Sequence, residues 1–336
     1  MRFVDSSYEI IEQSPGLIGV YKQIERAART SYKSEDRIID GSEQKMVDAL
    51  IKNRHYACLE HGTIYLKLTY DVSAVGSYRS SGIDKYVKNP YSRVIFDDGC
   101  DYRNAYITTN ARVITENEWQ DDLQYLCEPT EFHEKRITVK FVCSIGIGRE
   151  ILRHRRFSFM NESTRYCNYS KDKFNNELTY IIPQWIYKIQ REQADYVRWP
   201  TGEKKEELMD YTGESLVHIL SCEDRGVAAW VECLNRIEED YIYLTTIDEH
   251  YLLKPEEARG ILPLDLKSEL IVTGFISDWK HFFELRSYIA ATGKPHPDLQ
   301  ILADGLLLEF LDRDYITNKD IDELKDEKRK QNNQGD

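Results

Sequence analysis

Apolar residues recur at helical spacing in LIGVYKQIERAARTSY (17–32), which places Ile18, Tyr21, Ile24 and Ala28 on one face. A second helix is expected over SEQKMVDALIKN (42–53), with Ser42 as its N-cap and Met46, Ala49 and Leu50 as its apolar stripe. The period then changes. In ACLEHGTIYLKLTYD (57–71), Ile64, Leu66 and Leu68 alternate with Tyr65, Lys67 and Thr69, the pattern of a strand. Residues 71–136 carry strand-like runs broken by the turn signals Asn89-Pro90 and Asp97-Asp98-Gly99, and read as a hairpin-rich insertion. RITVKFVCS (136–144) is expected to be a strand, and IGIGREILRHRR (145–156) a helix opened by glycines.

Residues 186–250 read as helical, with the charges of 201–226 on a solvated face. Pro255 suits the first position of a helix, Glu256 and Glu257 complement its positive end, and Pro263 interrupts it. A last helix is expected around SDWKHFFELRSYIAA (277–291), capped by Ser277. The polar stretch 317–336 reads as a flexible tail. With no sharp break in composition, 1–316 reads as a single domain of α/β (α+β) class.

Charge narrows the function. The 336 residues carry a formal net charge of −13, which argues against a general nucleic-acid coat, whose affinity comes from Lys and Arg neutralising phosphates. No run of about 18 apolar residues exists to span a membrane. The start, MRFVDSSYEI, lacks the pattern of a secretory leader. The seven cysteines are scattered with no C-x-x-C pair, so reduced thiols in a cytoplasmic protein are expected, without metal.

Against this acidic background stands RHRRFSFMNESTRY (153–166), with four arginines and a histidine. One reading is a surface helix end, or an RNA-binding patch centred on RHRR. Another is the dinucleotide fingerprint of a nicotinamide-dependent oxidoreductase, since GIGREI (146–151) follows a strand; its sixth position is Ile151 rather than Gly or Ala. The third is an anion-dense active site, because the guanidinium fork matches phosphate and keeps its charge. Glu150 and Arg153 would share a helix face, and an extended chain beyond would put Arg153 and Arg155 on one side.

The run Arg153-His154-Arg155, seven residues, then Ser163, ending in Arg165-Tyr166, resembles the signature of flavin-dependent thymidylate synthases. CLEHGTIYL resembles that family's Glu-His strand, AARTSY its early helix, and EEARGILPLDL with the later FFELR its two spaced arginines, Arg259 and Arg286. The resemblance implies the family's own fold, a central twisted β-sheet flanked by helices, here with a β-rich insertion. It implies conversion of dUMP to dTMP, with FAD as carrier and hydride donor. Methylenetetrahydrofolate and NADPH would be co-substrates, and the enzyme a homotetramer with shared sites. Its partners would be small molecules, with no nucleic acid and no membrane.

Carried over residue by residue, the resemblance places Glu150, Ile151, Leu152, Arg153, Asn161, Glu162, Ser163, Thr164, Arg165, Arg259 and Arg286 around dUMP. Arg286 is the implied catalytic activator, a fixed cation beside the uracil. His61, Thr63, Arg153, His154, Arg155, Asn161, Phe275 and His281 are the implied FAD contacts. Ser163 reads as a binding residue rather than a nucleophile, because no His-Asp pair is evident to activate it. Phe275 departs from the family's Asn and cannot donate an amide bond. Asn110-Ala111-Arg112, in the insertion, echoes the missing Asn-Ala-Arg and makes Asn110 a candidate substitute.

Overall fold

The computed structural model describes residues 1–71, 82–97, 102–196, 212–246, 252–289 and 293–332. Its centre is a four-stranded antiparallel sheet in the order β2 (Ser7–Ile11), β6 (Arg136–Ser144), β9 (Lys267–Phe275) and β7 (Ser158–Asn161). β6 and β9 pair along all nine residues, from Arg136 opposite Phe275 to Ser144 opposite Lys267. A second antiparallel sheet joins β3 (Thr63–Asp71), β5 (Tyr102–Asn110) and β4 (Arg93–Phe96) in that order. A third, parallel pair is β1 (Arg2–Val4) with β8 (Thr179–Ile181). The α+β class holds, and β4 and β5 are built from the segment 71–136, whose Asp98–Gly99 turn signal lies outside the described residues.

Each sheet has its own core. Beneath the central sheet, α10 (Ile276–Arg286) and α11 (Pro297–Asp312) pack Trp279, Phe282, Phe283 and Phe310 against Phe141 and Phe157. Trp279 is fully buried, and its indole N–H donates to the Ile137 carbonyl at 3.1 Å, so a large ring is sequestered without an orphaned donor. α1 (Gly16–Thr30) and α2 (Ser42–Lys52) cover the β3–β5–β4 sheet. α7 (Gly213–Glu223) and α8 (Arg225–Thr246) pack on the β1–β8 pair. Two parts of the expected 186–250 helical region, 197–211 and 247–250, lie outside the described residues. Among the described residues, no helix is long and apolar enough to cross a membrane.

Several local expectations are corrected. Ile18 is 63% exposed, and the buried face of α1 runs through Val20, Ile24, Ala27 and Ala28. Gly19 sits against the Ser14 carbonyl, where a Cβ would lie 1.6 Å from its oxygen. Ser42 is the first residue of α2, not its cap; Gly41 holds that place with φ 82°, and the Ser42 hydroxyl donates to Glu25. Ala49 is exposed, and Val47 and Leu50 form the buried stripe. The glycine-opened helix α5 stops at Ile151 (Ile145–Ile151), so Arg153–Arg156 occupy a turn rather than a helix or an extended run. Ser144 caps it by accepting the Ile147 N–H at 3.2 Å. Ser277 does not cap α10; its own N–H donates to Glu134 Oε1 at 3.1 Å, from the segment 71–136. The polar tail holds helix α12 (Asn318–Asn332), because Ile321 is 4% exposed and joins the central core. Pro255 does open its short helix, α9 (Pro255–Ala258).

Gly274 fixes how close the sheet comes to the turn that follows α5. A Cβ built there would lie 2.1 Å from Cδ1 of Phe157. Gly274→Ala is expected to destabilise the fold by about 1–3 kcal/mol through overpacking. Thermal melts in wild-type and Phe157→Ala backgrounds check it; equal losses in both would show that the ring is not the obstacle.

Candidate active site

The turn after α5 and the end of α10 meet. Arg286 Nε donates to His154 Nε2 at 3.2 Å, and its Nη1 lies 3.4 Å from Glu150 Oε2. The same carboxylate oxygen is 3.3 Å from Arg153 Nη1, the i, i+3 pair expected from spacing. Glu150 thus bridges two arginines that the chain keeps 133 positions apart. Arg153, His154, Arg155, Arg156, His281 and Arg286 line one cavity of about 360 Å³. The side chain of Arg286 is 18% exposed, against 70% for Arg153, so one cation is held and the other reaches into solvent.

His154 accepts from Arg286, which assigns its remaining proton to Nδ1. Burial, and then the charges of Arg286 and His281, pull its pKa down to about 4. It is a neutral acceptor at physiological pH, and it orients the Arg286 guanidinium. His281 stands at the rim, with Nδ1 2.9 Å from Glu284 Oε2.

A second group of implied residues gathers elsewhere. Arg165 Nε donates to Glu256 Oε2 at 2.8 Å, which brings the 161–166 loop to α9 and the exposed Arg259 beyond it. Ser163 lines a cavity of about 390 Å³ with Ser31, Tyr32, His55, Cys58 and Tyr166. Its hydroxyl accepts the Arg165 N–H at 3.3 Å, and its N–H donates to the Ser31 carbonyl at 3.1 Å. Tyr32 and Tyr166 stack with ring centroids 4.6 Å apart at the same place. Thr164 is half-buried beside them, and Asn161, at the end of β7, is exposed. His55 and Tyr32 were not singled out from sequence, although Tyr32 ends AARTSY and His55 lies three residues before CLEHGTIYL. Neither Arg165 nor Arg259 lines the Arg286 cavity.

Five implied residues sit differently from expectation. Ile151 is fully buried in the central core and Leu152 packs against it, since the last turn of α5 points them at the sheet. Only their backbone could meet a ligand. Glu162 is 5% exposed and turned inward, accepting from Tyr169 at 3.0 Å and Lys267 at 3.0 Å. Lys267 also pairs with Glu269, as do Lys33 and Lys140. Burial alone would raise the Glu269 carboxyl, but the three lysines outweigh it and hold it well below the usual range. This knot anchors the 161–166 loop to β9. His61 is fully buried, with Nδ1 2.8 Å from Thr273 Oγ1, and does not line the arginine cavity. Thr63 bonds Arg136 and lines a separate cavity with Glu12, Lys135 and Tyr315.

Phe275 completes the picture. The Arg93 and Arg136 guanidinium carbons lie 4.6 Å and 5.5 Å from its ring centroid. These residues, with Asn110, Arg155, Arg156, Ser158 and Asp278, line a cavity of about 370 Å³. It shares Arg155, Arg156 and Asp278 with the Arg286 cavity. Asn110 lines the same cavity as Phe275, while its Oδ1 also caps α4 (Ala111–Glu116) through the Val113 N–H at 3.1 Å.

The family described as thymidylate synthase complementing protein matches residues 102–311, starting within the segment 71–136. The chain is 25% identical over 205 residues to a flavin-dependent thymidylate synthase of Pyrococcus furiosus, covering 60% of this chain and 68% of that protein. It is 27% identical over 173 residues to one of Mycolicibacterium vanbaalenii, covering 50% and 55%. Among solved structures it is similar to a UMP/dUMP methylase of Streptomyces cacaoi bound with 5-Br dUMP, at 18% identity over 93% of each chain and a TM-score of 0.39. It is also similar to thymidylate synthase X of Helicobacter pylori with FAD and dUMP, at 14% identity over 94% of this chain and 99% of that one, with a TM-score of 0.35.

The depressed His154 gives a signed pH dependence. An unfolded imidazole takes a proton near its ordinary 6.5 and the folded one near 4, so its share of stability is present above 6.5 and is lost as pH falls towards 4. His61, held near 3 by burial and then by the Arg136 charge, acts in the same direction. His154→Gln should therefore destabilise less at about pH 5 than at about pH 7. Melting curves at both values read this; a pH-independent difference would contradict a neutral buried His154.

Proposed function

This chain belongs to the thymidylate synthase complementing protein family, and from that premise we propose that it is a flavin-dependent methyltransferase converting dUMP to dTMP. Methylenetetrahydrofolate is the proposed carbon donor and NADPH the proposed reductant. The observation that carries the reading is Arg286, fastened by His154 and Glu150 in a cavity walled by Arg153 and Arg155.

The residues present suit FAD. Two adjoining cavities of about 360 and 370 Å³ share arginines, and the buried Arg136 has an Nε without a partner. Bound there, FAD supplies carbon transfer and hydride chemistry that side chains lack. The protein's share is binding and polarisation. Arg286 is a preorganised cation for a uracil ring gaining electron density, and its guanidinium needs no reorientation because His154 and Glu150 already hold it. Arg153, with Arg165 and Arg259, supplies forks for the phosphate of dUMP, and Arg155 faces FAD.

These arginines lie in two clusters of one chain. A homotetramer with shared sites is the arrangement we propose, in which the Arg165–Arg259 face of one copy meets the Arg286 face of another. Glu162 then acts as a positioning residue, holding the loop through Lys267.

Tritium release from 5-³H-dUMP, with methylenetetrahydrofolate, FAD and NADPH, tests the reaction. Arg286→Ala is expected to lower turnover about 100-fold or more, the scale of removing one preorganised donor, with an unchanged melting temperature. Near-normal turnover in that variant would refute the role given to Arg286, and no release by the wild type would refute the reaction.

A further inference from the structure

Helix α1 ends in a turn that glycine usually closes. The Ser34 N–H donates to the Arg29 carbonyl at 3.0 Å and the Lys33 N–H to the Thr30 carbonyl at 3.2 Å, the paired bonds of a Schellman ending. Lys33 fills the left-handed position, with φ 48°, where a residue with a side chain is disfavoured. That side chain leaves the turn and reaches Glu269 Oε2 at 2.8 Å, with Glu35 Oε1 at 3.3 Å. Burial alone would lower the Lys33 pKa, but the Glu269 charge outweighs it and raises the value. A lysine held at a glycine position by a carboxylate on β9 does more than close a helix.

Glu269 grips a second segment as well. Its backbone carbonyl accepts the Glu162 N–H at 2.7 Å. Its Oε1 meets Lys267 at 2.7 Å, and Lys267 holds the Glu162 carboxylate at 3.0 Å. One residue of β9 therefore carries both the turn 31–35 and the loop 161–166. The two segments are also joined to each other, the Ser163 N–H donating to the Ser31 carbonyl at 3.1 Å. They bear Tyr32 and Tyr166, whose rings stack 4.6 Å apart and within 22° of parallel. Both rings are half exposed, and such a pair is too weak a contact to align two loops by itself. The alignment comes from the charged knot beneath them.

We propose that Glu269 is a positioning residue: through Lys33 and Lys267 it sets the separation and tilt of the Tyr32–Tyr166 pair, so that these rings wall the cavity of about 390 Å³ for the flat ring of a substrate. Stacked rings, with Met46 and Leu50 in the same lining, favour a planar heteroaromatic group over a charged or branched one. Uracil and a pterin share that chemistry. The inference rests on the proposed reaction only for which of the two enters.

The test is calorimetric titration of the purified protein with dUMP and with methylenetetrahydrofolate. Glycine suits the left-handed turn better than lysine does. If Lys33 only closed the helix, Lys33→Gly would therefore bind both ligands as the wild type does. The expected result is a Kd about tenfold higher for one of the two, regained in Lys33→Arg, which restores the cation. In a Tyr32→Ala background the same substitution should weaken binding no further, because the ring it aligns is gone. A rise for dUMP assigns uracil to the wall, and a rise for the folate assigns the pterin. Glu269→Gln should weaken the same ligand, and Lys33→Gly keeps the test readable if that variant misfolds. Unchanged binding by Lys33→Gly, equal loss for both ligands, or the same loss with and without Tyr32 would overturn the inference. Loss confined to one ligand, in a protein that releases no tritium from 5-³H-dUMP, would sink the proposed reaction and leave the positioning role standing.

Discussion

The nine-residue pairing of β6 with β9 governs everything near the site. One register puts Arg136 opposite Phe275 at one end and Ser144 opposite Lys267 at the other. The first end sets a guanidinium against a ring. The second starts α5, which carries Glu150, and presents Lys267 to the loop that carries Arg165. A slip of one residue would turn every side chain of β9 to the opposite face, taking Lys267 from Glu162 and the Phe275 ring from Arg136. The pairing holds because the flanking face is a packed layer of Trp279, Phe282, Phe283 and Phe310.

The two ends treat charge in opposite ways. Around Glu269, three lysines and a neighbouring carboxylate satisfy one another, and the knot is rigid but closed to ligands. Around Arg136 the acceptors are neutral and the charge is left standing. A fold that tolerates the second arrangement keeps a preformed field in a partly enclosed space, where it acts more strongly than in water. His154 works between these extremes: it gives Arg286 an acceptor without giving it a counter-ion.

Much of this was legible in the chain. Strands 63–71 and 136–144 followed from alternation, and the Glu150–Arg153 contact from spacing. Arg153, His154, Arg155, His281 and Arg286, named from separate stretches, line one cavity. What was not legible depends on distant partners. Glu162 looks like a site residue until Lys267, 105 positions away, is seen to hold it inward. His61 is fully buried and its Nδ1 is bound to Thr273, 212 positions away. Arg136 drew no attention as the first residue of an apolar strand, because the groups that hold it, the Glu60 carbonyl and the Thr63 and Ser158 hydroxyls, come from distant parts of the chain. The tail read as loose because its composition is polar, yet Ile321 and Leu324 dock it on the central core.

The first turn of the Arg286 helix is closed by Glu134, and Glu134 also touches Arg93. Residues 71–136 are long enough to resemble a cassette that could be cut out or exchanged between relatives. The bond to Ser277 makes such surgery self-defeating: excision would uncap the helix that carries Arg286, and a foreign replacement would have to bring its own carboxylate to the same spot. Chimeras at these boundaries would need to exchange 71–136 together with 275–286, because Glu134 joins the two stretches.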